Sequence, residues 1–343
     1  MTTDKPLLEI EDLHVHFNTS DGVVQAINGA TLSLKAGEIV GLVGESGSGK
    51  SVTAMSVLGL VPQPPAVYPK GKIFWKGTDL LTASTEQLRK IRGGEISMIF
   101  QDPMTSLNPV YTIGDQIAEM IQAHEHINKA GAKKRAIEML ELVGVPNPHQ
   151  RVDDYPHQFS GGMRQRAMIA MALACKPQLL IADEPTTALD VTVQSQILQL
   201  IREMQKEFNM ALILITHDLG VVAEVADRVN VMYAGKIVES GSADDIYYRP
   251  DHPYAIGLLN SIPRVDALES KRLVAIPGQP PSLIHLPQGC SFRARCEFAD
   301  RVPGNLCATT TPTLDQKGDG HFSRCHLPES ELVKARVEIG GRS

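Results

Sequence analysis

Ile39–Val43 is an unbroken apolar run, and Gly44-Glu45-Ser46-Gly47-Ser48-Gly49-Lys50-Ser51 follows it directly. The octet fits G-x-x-x-x-G-K-[ST], and a strand is the context that pattern requires. A strand that turns through three glycines into a helix is the phosphate-binding unit of an α/β protein. The glycines let the backbone wrap phosphate oxygens with N–H groups, and the helix N-terminus adds a favourable dipole. Lys50 can reach the β- and γ-phosphates, and the Ser51 hydroxyl can ligate Mg²⁺. A chance Gly/Ser turn is the alternative, and it leaves the joint register of Gly, Lys and Ser unexplained.

Three further nearly continuous apolar runs suit strands buried on both faces of a parallel sheet: Ile96–Phe100, Leu179–Ala182 and Leu212–Ile215. Helical periodicity separates them at Ser51–Leu60, Ala132–Val143, Met163–Ala174 and Val191–Glu207. Leu7–Phe17 alternates apolar and polar residues, turns at Ser20-Asp21-Gly22, and continues as strand over Val23–Leu34. The expected fold is α/β, with a parallel-sheet core and an N-terminal antiparallel β-subdomain. The stretch from about 102 to 174 reads as a helical insertion between two sheet strands. A nucleotide-binding domain over 1–250 is expected, with a C-terminal extension over 251–343. Pro263, Pro277, Gly278, Pro280, Pro281, Pro287 and Gly289 cluster there as periodicity fades. This extension is expected to be loop-rich and not stabilised mainly by a core.

The chain has 343 residues and a formal net charge of −6, which gives no sign of a basic groove for nucleic acid. Met1–Pro6 has no apolar segment of signal-peptide type, and Met168–Cys175 and Ala211–Ile215 are far too short to span a membrane. Membrane association is therefore expected to run through partner proteins or a surface.

Leu179–Ala182 ends in Asp183-Glu184. At the carboxyl edge of a parallel sheet this is where α/β folds place ligands. Asp183 can hold Mg²⁺, and Glu184 can polarise an attacking water. A solvated acidic pair is the bland alternative. Leu214-Ile215-Thr216-His217 is a second apolar strand with a polar end. His217 reads either as a γ-phosphate contact or as a structural histidine. Ser160-Gly161-Gly162 opens a helix and makes a second anion-binding N-terminus, although the chain has one nucleotide loop.

Taken together, these features resemble the ATPase subunits of ABC transporters, in the family's order across about 7–241. Gly44–Ser51 resembles the Walker A loop, Gln101 the Q-loop glutamine, Ser160–Gln165 the signature, and Leu179–Asp183 Walker B. Glu184 resembles the catalytic glutamate, Ala188-Leu189-Asp190 the D-loop, and His217 the switch histidine. The signature begins with Phe159 and has Met163 where the commonest form has Leu and Gln. The resemblance implies a RecA-like P-loop NTPase core and face-to-face pairs. Ser160, Gly161, Gly162 and Asp190 would then serve the partner's ATP. Lys50, Ser51, Asp183, Glu184 and His217 would serve the chain's own, with Mg²⁺ near Ser51, Gln101 and Asp183. Phe17 is the candidate for stacking on adenine, with a core role as the alternative.

Gln101–Pro109, Tyr155-Pro156-His157-Gln158, His252-Pro253-Tyr254 and Pro277-Gly278 resemble the peptide and nickel permease subfamily, and dipeptide permease ATPases most closely. This implies a peripheral subunit on the cytoplasmic side of the membrane that drives peptide import. Its implied partners are a second, non-identical ATPase, two membrane-spanning permeases and an extracytoplasmic peptide-binding protein. A nickel importer and a soluble ABC ATPase of DNA repair or translation are the alternatives. A regulatory subunit without turnover is disfavoured by intact Lys50, Asp183, Glu184 and His217.

Cys290, Cys296, Cys307 and Cys325 place four thiols within 36 residues. In a cytosolic chain this suggests a metal site rather than disulfides. Iron–sulfur, zinc and unligated thiols are all open on spacing. The subfamily resemblance favours a [4Fe–4S] cluster, with Arg293, Arg295 and Arg324 offsetting thiolate charge. Cys175 lies apart in an apolar helical pattern and is expected in the core.

Overall fold

The computed structural model describes residues 5–102, 106–187, 189–261 and 276–338. The described residues fall into two compact units, one within the bounds Met1–Pro6, Leu34–Glu38 and Leu80–Ile215, the other within Leu7–Ser33, Ile39–Asp79 and Thr216–Ser343.

The first unit is built on parallel strands. Ile96–Ile99 pairs with Leu179–Asp183, which pairs with the strand that begins at Ala211. Every residue of Ile96–Ile99 and Leu179–Asp183 is buried, as continuous apolar runs require of strands covered on both faces. The stretch between these two strands supplies the helices Ile113–His124, Lys129–Leu142 and Gly161–Leu173. Thr112, Asn128 and Ser160 cap them, each side chain accepting a hydrogen bond from a first-turn backbone N–H. Such caps each contribute about 1 kcal/mol. The helix Val191–Phe208 buries Ile197, Leu200, Ile201 and Met204, an i, i+3, i+4, i+7 stripe, and ends at Asn209 in the left-handed region.

The second unit holds two sheets. In one, Leu8–Thr19 pairs antiparallel with Ala66–Val67 and Lys72–Trp75, and Gly22–Leu34 flanks it, matching the expected β-subdomain. In the other, Ile39–Val43 runs parallel to Arg228–Tyr233, which pairs antiparallel with Lys236–Ser242. The short strand His321–Ser323 then adds to Lys236–Ser242, and Asp315–Gly318 adds to it in turn.

The C-terminal extension is loop-rich over 276–328, as expected, but it departs from expectation in how it is stabilised. It contains the helices Pro253–Asn260 and Glu329–Glu338, and it has a core of its own. Ile256, Phe298, Val302, Cys307, Leu327 and Leu332 are buried together. The apolar residues that build this core are spread over three short segments, so no single window shows periodicity. A buried ionic network pins the same region. Glu239 accepts hydrogen bonds from the backbone N–H groups of Asp251 and His252 at 2.6 and 2.8 Å, and from His321 at 2.8 Å. Asp251 meets the other His321 nitrogen at 3.3 Å and is also paired with Arg336. The Glu239 and Asp251 carboxyl groups face His321 and Arg336, and at Glu239 burial still outweighs these contacts and raises the carboxyl above its ordinary value.

Candidate functional site

The second unit carries the phosphate loop. Gly49 ends it at φ 109°, and a Cβ there would lie 2.7 Å from the Ala26 carbonyl oxygen, so glycine is required. A Cβ at Gly47 would meet nothing within 4 Å, which leaves that side of the loop open for a ligand. The helix Lys50–Val57 follows, with Ser51 in its first turn. Lys50 is buried, and its Nζ donates to the carbonyls of Gly44 and Glu45 at 2.7 and 3.1 Å. The ammonium is thus held over the loop. Tyr254 Oη accepts from the Glu45 N–H at 2.8 Å. Burial pushes the Tyr254 phenol above its ordinary value, and the group stays neutral.

His217 is exposed, just past the strand Ala211–Thr216. Asp218 beside it caps the helix Leu219–Val225. Phe17 lies half-buried on the first strand opposite Ala66, neither in the core nor fully free.

The first unit carries the second constellation. Asp183 closes its strand at 5% exposure. Glu184 follows at φ 45°, in the left-handed region. That conformation costs a non-glycine residue about 1–3 kcal/mol and is typically kept where function needs it. Here the Glu184 N–H donates to the Ile215 carbonyl at 2.9 Å, which holds the turn. Gln101 Nε2 and Thr187 Oγ1 both donate to Glu184 Oε2 at 3.0 Å. Gln101 and Glu184 are therefore brought together as the motif order suggests. The role of Thr187 is not legible in the sequence, because one hydroxyl in Thr186-Thr187 carries no signal of its own.

Ser160 Oγ accepts from the Met163 N–H at 3.3 Å, and Asp190 Oδ1 accepts from the Val193 N–H at 3.0 Å, so both cap helices. Ser160 and Gly161 are exposed. A Cβ on Gly162 would come within 3.3 Å of Val193. Gln165 is buried and donates to the Pro185 carbonyl, fixing the signature helix to the turn after Glu184. Ala188 and Pro103-Met104-Thr105 lie outside the described residues.

All four tail cysteines line one cavity, together with Phe292 and Arg293. The Leu327 N–H donates to Cys325 Sγ at 3.4 Å, and the Arg293 N–H donates to the Cys290 carbonyl at 3.1 Å. Burial raises all four thiols, Cys296 and Cys325 to about 12. Yet no three of these sulfurs lie within 4.8 Å of one another. A single tetrahedral zinc, with Zn–S near 2.3 Å, needs a tighter set than this. Two of the three arginines expected beside the thiols point elsewhere. Arg324 Nε donates to the Ile237 carbonyl, and Arg295 is engaged with Glu45. Cys175 sits just beyond the helix end, half-buried, its thiol pushed up to about 11 by burial, with its Sγ 3.7 Å from the Met120 carbonyl.

The model described as ABC transporter matches residues 27–187. The oligopeptide transport ATP-binding protein OppD of Bacillus subtilis is 55% identical over 339 residues, covering 96% of this chain and 94% of that protein. The chain belongs to the ABC-transporter ATP-binding proteins. It is an ATPase subunit with the P-loop NTPase fold expected from its motifs. The family's C-terminal model, described as oligopeptide/dipeptide transporter, C-terminal region, matches residues 238–302. The dipeptide transport ATP-binding protein DppD of Bacillus subtilis is 51% identical, covering 96% of this chain and 97% of that protein. A solved dimeric ATP-binding cassette in a post-hydrolysis state with ADP and Pi superposes with a TM-score of 0.62 at 25% identity, over 69% of this chain and 98% of that one. No helix among the described residues is long and apolar enough to cross a membrane.

Proposed function

We propose that this chain is the ATP-hydrolysing motor of an importer for di- and oligopeptides. It would sit on the cytoplasmic face of the membrane, bound to two permease subunits and paired with a second, non-identical ATPase. An extracytoplasmic binding protein would deliver the peptide. The observation that carries the reading is the match of both the cassette and the C-terminal region on one chain, with relatives named for oligopeptide and dipeptide transport at 51–55% identity. Val110 and Tyr111, 70% and 55% exposed at the start of the insertion, offer an apolar surface for a permease loop.

The nucleotide-binding domain is taken as 1–250 and the extension as 251–343. Lys50 and the loop N–H groups would bind the β- and γ-phosphates. The Ser51 hydroxyl, Gln101 and the Asp183 carboxylate are oxygen donors that suit Mg²⁺, and a dication offsets the cost of burying Asp183. When bound, Mg²⁺ supplies charge neutralisation on the phosphate oxygens. Glu184, oriented by Gln101 and Thr187, would accept a proton from water as the water oxygen attacks the γ-phosphorus and the bond from that phosphorus to the β–γ bridging oxygen breaks, releasing ADP. His217 would hold the γ-phosphate. Ser160, Gly161, Gly162 and Asp190 would face the partner's ATP, and Phe17 would stack on adenine. The chemistry is mostly positioning and charge stabilisation.

The four-cysteine cavity is proposed to hold an iron–sulfur cluster. Four thiols lining one cavity and a backbone N–H directed at Cys325 Sγ support this, since such a hydrogen bond favours a thiolate ligand.

Affinity capture from mild-detergent membranes tests the transport role. Recovery of two multi-span proteins and a second ATPase is expected. A metal-binding protein in place of a peptide-binding one would redirect the substrate to nickel. Recovery only from the soluble fraction would overturn the transport reading.

A further inference from the structure

Glu45, the second residue of the phosphate loop, is an acidic side chain in a loop that must accept a polyanion. Its carboxylate meets Arg295 through two contacts, Nη1 to Oε2 at 2.6 Å and Nη2 to Oε1 at 2.9 Å. The two residues are 250 positions apart. A planar, two-contact pair of this kind is both strong and directional. Arg295 is only 7% exposed. Its Nε donates to the Pro277 carbonyl at 2.9 Å, and its guanidinium lies 5.8 and 5.9 Å from the ring centroids of Tyr233 and Phe292. This surround fixes Arg295 before any nucleotide arrives. Glu45 is anchored at all three of its polar positions: carboxylate to Arg295, N–H to Tyr254 and carbonyl to Lys50.

We infer that Arg295, carried on the cysteine-bearing tail, is a positioning residue for nucleotide binding: it holds and neutralises Glu45, and so sets the affinity of the loop for the triphosphate. This rests on reading Gly44–Ser51 as the phosphate loop. With Arg295 removed, a partly exposed carboxylate would remain in the loop and repel the incoming phosphates. The same contact links the tail to the nucleotide site. Phe292 lies under Arg295, lines the cysteine cavity, and packs on Tyr233 and Tyr254 with ring centroids 5.2 and 5.5 Å apart.

The test is equilibrium binding of MgATP to the full-length chain. Arg295→Ala is expected to weaken binding about tenfold, an effect of 1.4 kcal/mol. Glu45→Gln alone leaves the buried Arg295 cation without its partner and is expected to perturb the loop, so the double variant is read against wild type. Arg295→Ala combined with Glu45→Gln is expected to return to within about threefold, since the orphaned charge is gone. A purely structural clamp predicts no such rescue. An Arg295→Ala chain that binds like wild type, or a double variant as weak as Arg295→Ala, overturns the inference. If Arg295→Ala does not fold, Arg295→Gln is compared with and without Glu45→Gln under the same two criteria. Lys50→Ala separates the underlying reading: it loses MgATP binding if Gly44–Ser51 is the phosphate loop, and unchanged binding would refute the loop assignment itself.

Discussion

Gln101 Nε2 donates to Glu184 Oε2 across 3.0 Å, joining residues 83 positions apart. The glutamine follows the strand Ile96–Ile99 and the glutamate follows its parallel neighbour Leu179–Asp183. Parallel pairing brings the two carboxyl ends side by side. Gln101 thereby holds one oxygen of the proposed base.

Glu184→Gln is expected to bind MgATP with near-wild-type affinity and to hydrolyse it at least about a hundredfold more slowly, because the amide cannot accept the proton from water. Nucleotide binding and phosphate release measured on one preparation check this. Wild-type turnover would remove the role.

Gln101→Ala removes one hydrogen bond from Glu184 Oε2 and keeps that of Thr187. A fall in kcat of about tenfold with little change in KM for ATP is the expected pattern, since an orienting contact acts on the transition state more than on binding. A raised KM with unchanged kcat would instead assign Gln101 to ground-state binding.

Replacing Cys290, Cys296, Cys307 or Cys325 with serine is expected to lower iron and acid-labile sulfide together. Cys175→Ser should leave both unchanged, since its thiol contacts the Met120 carbonyl instead of the cavity. Iron and sulfide assays on anaerobically purified chain check this. Absence of both from the wild type would end the cluster assignment.

His321 gives a pH prediction. Burial alone would lower its pKa, but the Glu239 hydrogen bond and the charges of Glu239, Asp251 and Asp245 outweigh it, and the imidazole sits above its ordinary value. Arg336, from the helix Glu329–Glu338, faces the same group across Asp251. A raised folded pKa means that stabilisation is complete below the ordinary imidazole value and fades as pH rises through the folded value. His321→Gln is expected to lose about 3 kcal/mol near pH 6, with the gap to wild type narrowing towards pH 9. Denaturant unfolding across that range measures it. A gap independent of pH would mean that His321 is not charged in the fold.

Local sequence was enough for the phosphate loop, the strand-end carboxylates, the helix caps and the α/β class. Each of these depends on residue types at fixed short spacing: glycines before Gly49-Lys50, an apolar run before Asp183, and a capping hydroxyl at Ser160. The order of the motifs also made the family legible. What lay beyond short-range reading depended on contacts between distant segments. The strands Arg228–Tyr233 and Lys236–Ser242 were not anticipated, and the tail core built from Ile256, Phe298 and Leu332 has no periodicity to reveal it. Arg295 had looked like a counter-charge for thiolates because Cys296 is adjacent in sequence. Its side chain turns instead to Glu45, where a carboxylate and two aromatic faces hold it. Sequence determined which chemistry the chain contains, because that is set by residue type and local spacing. Tertiary structure alone decided which charge meets which, because burial rewards the best-matched partner wherever it lies along the chain.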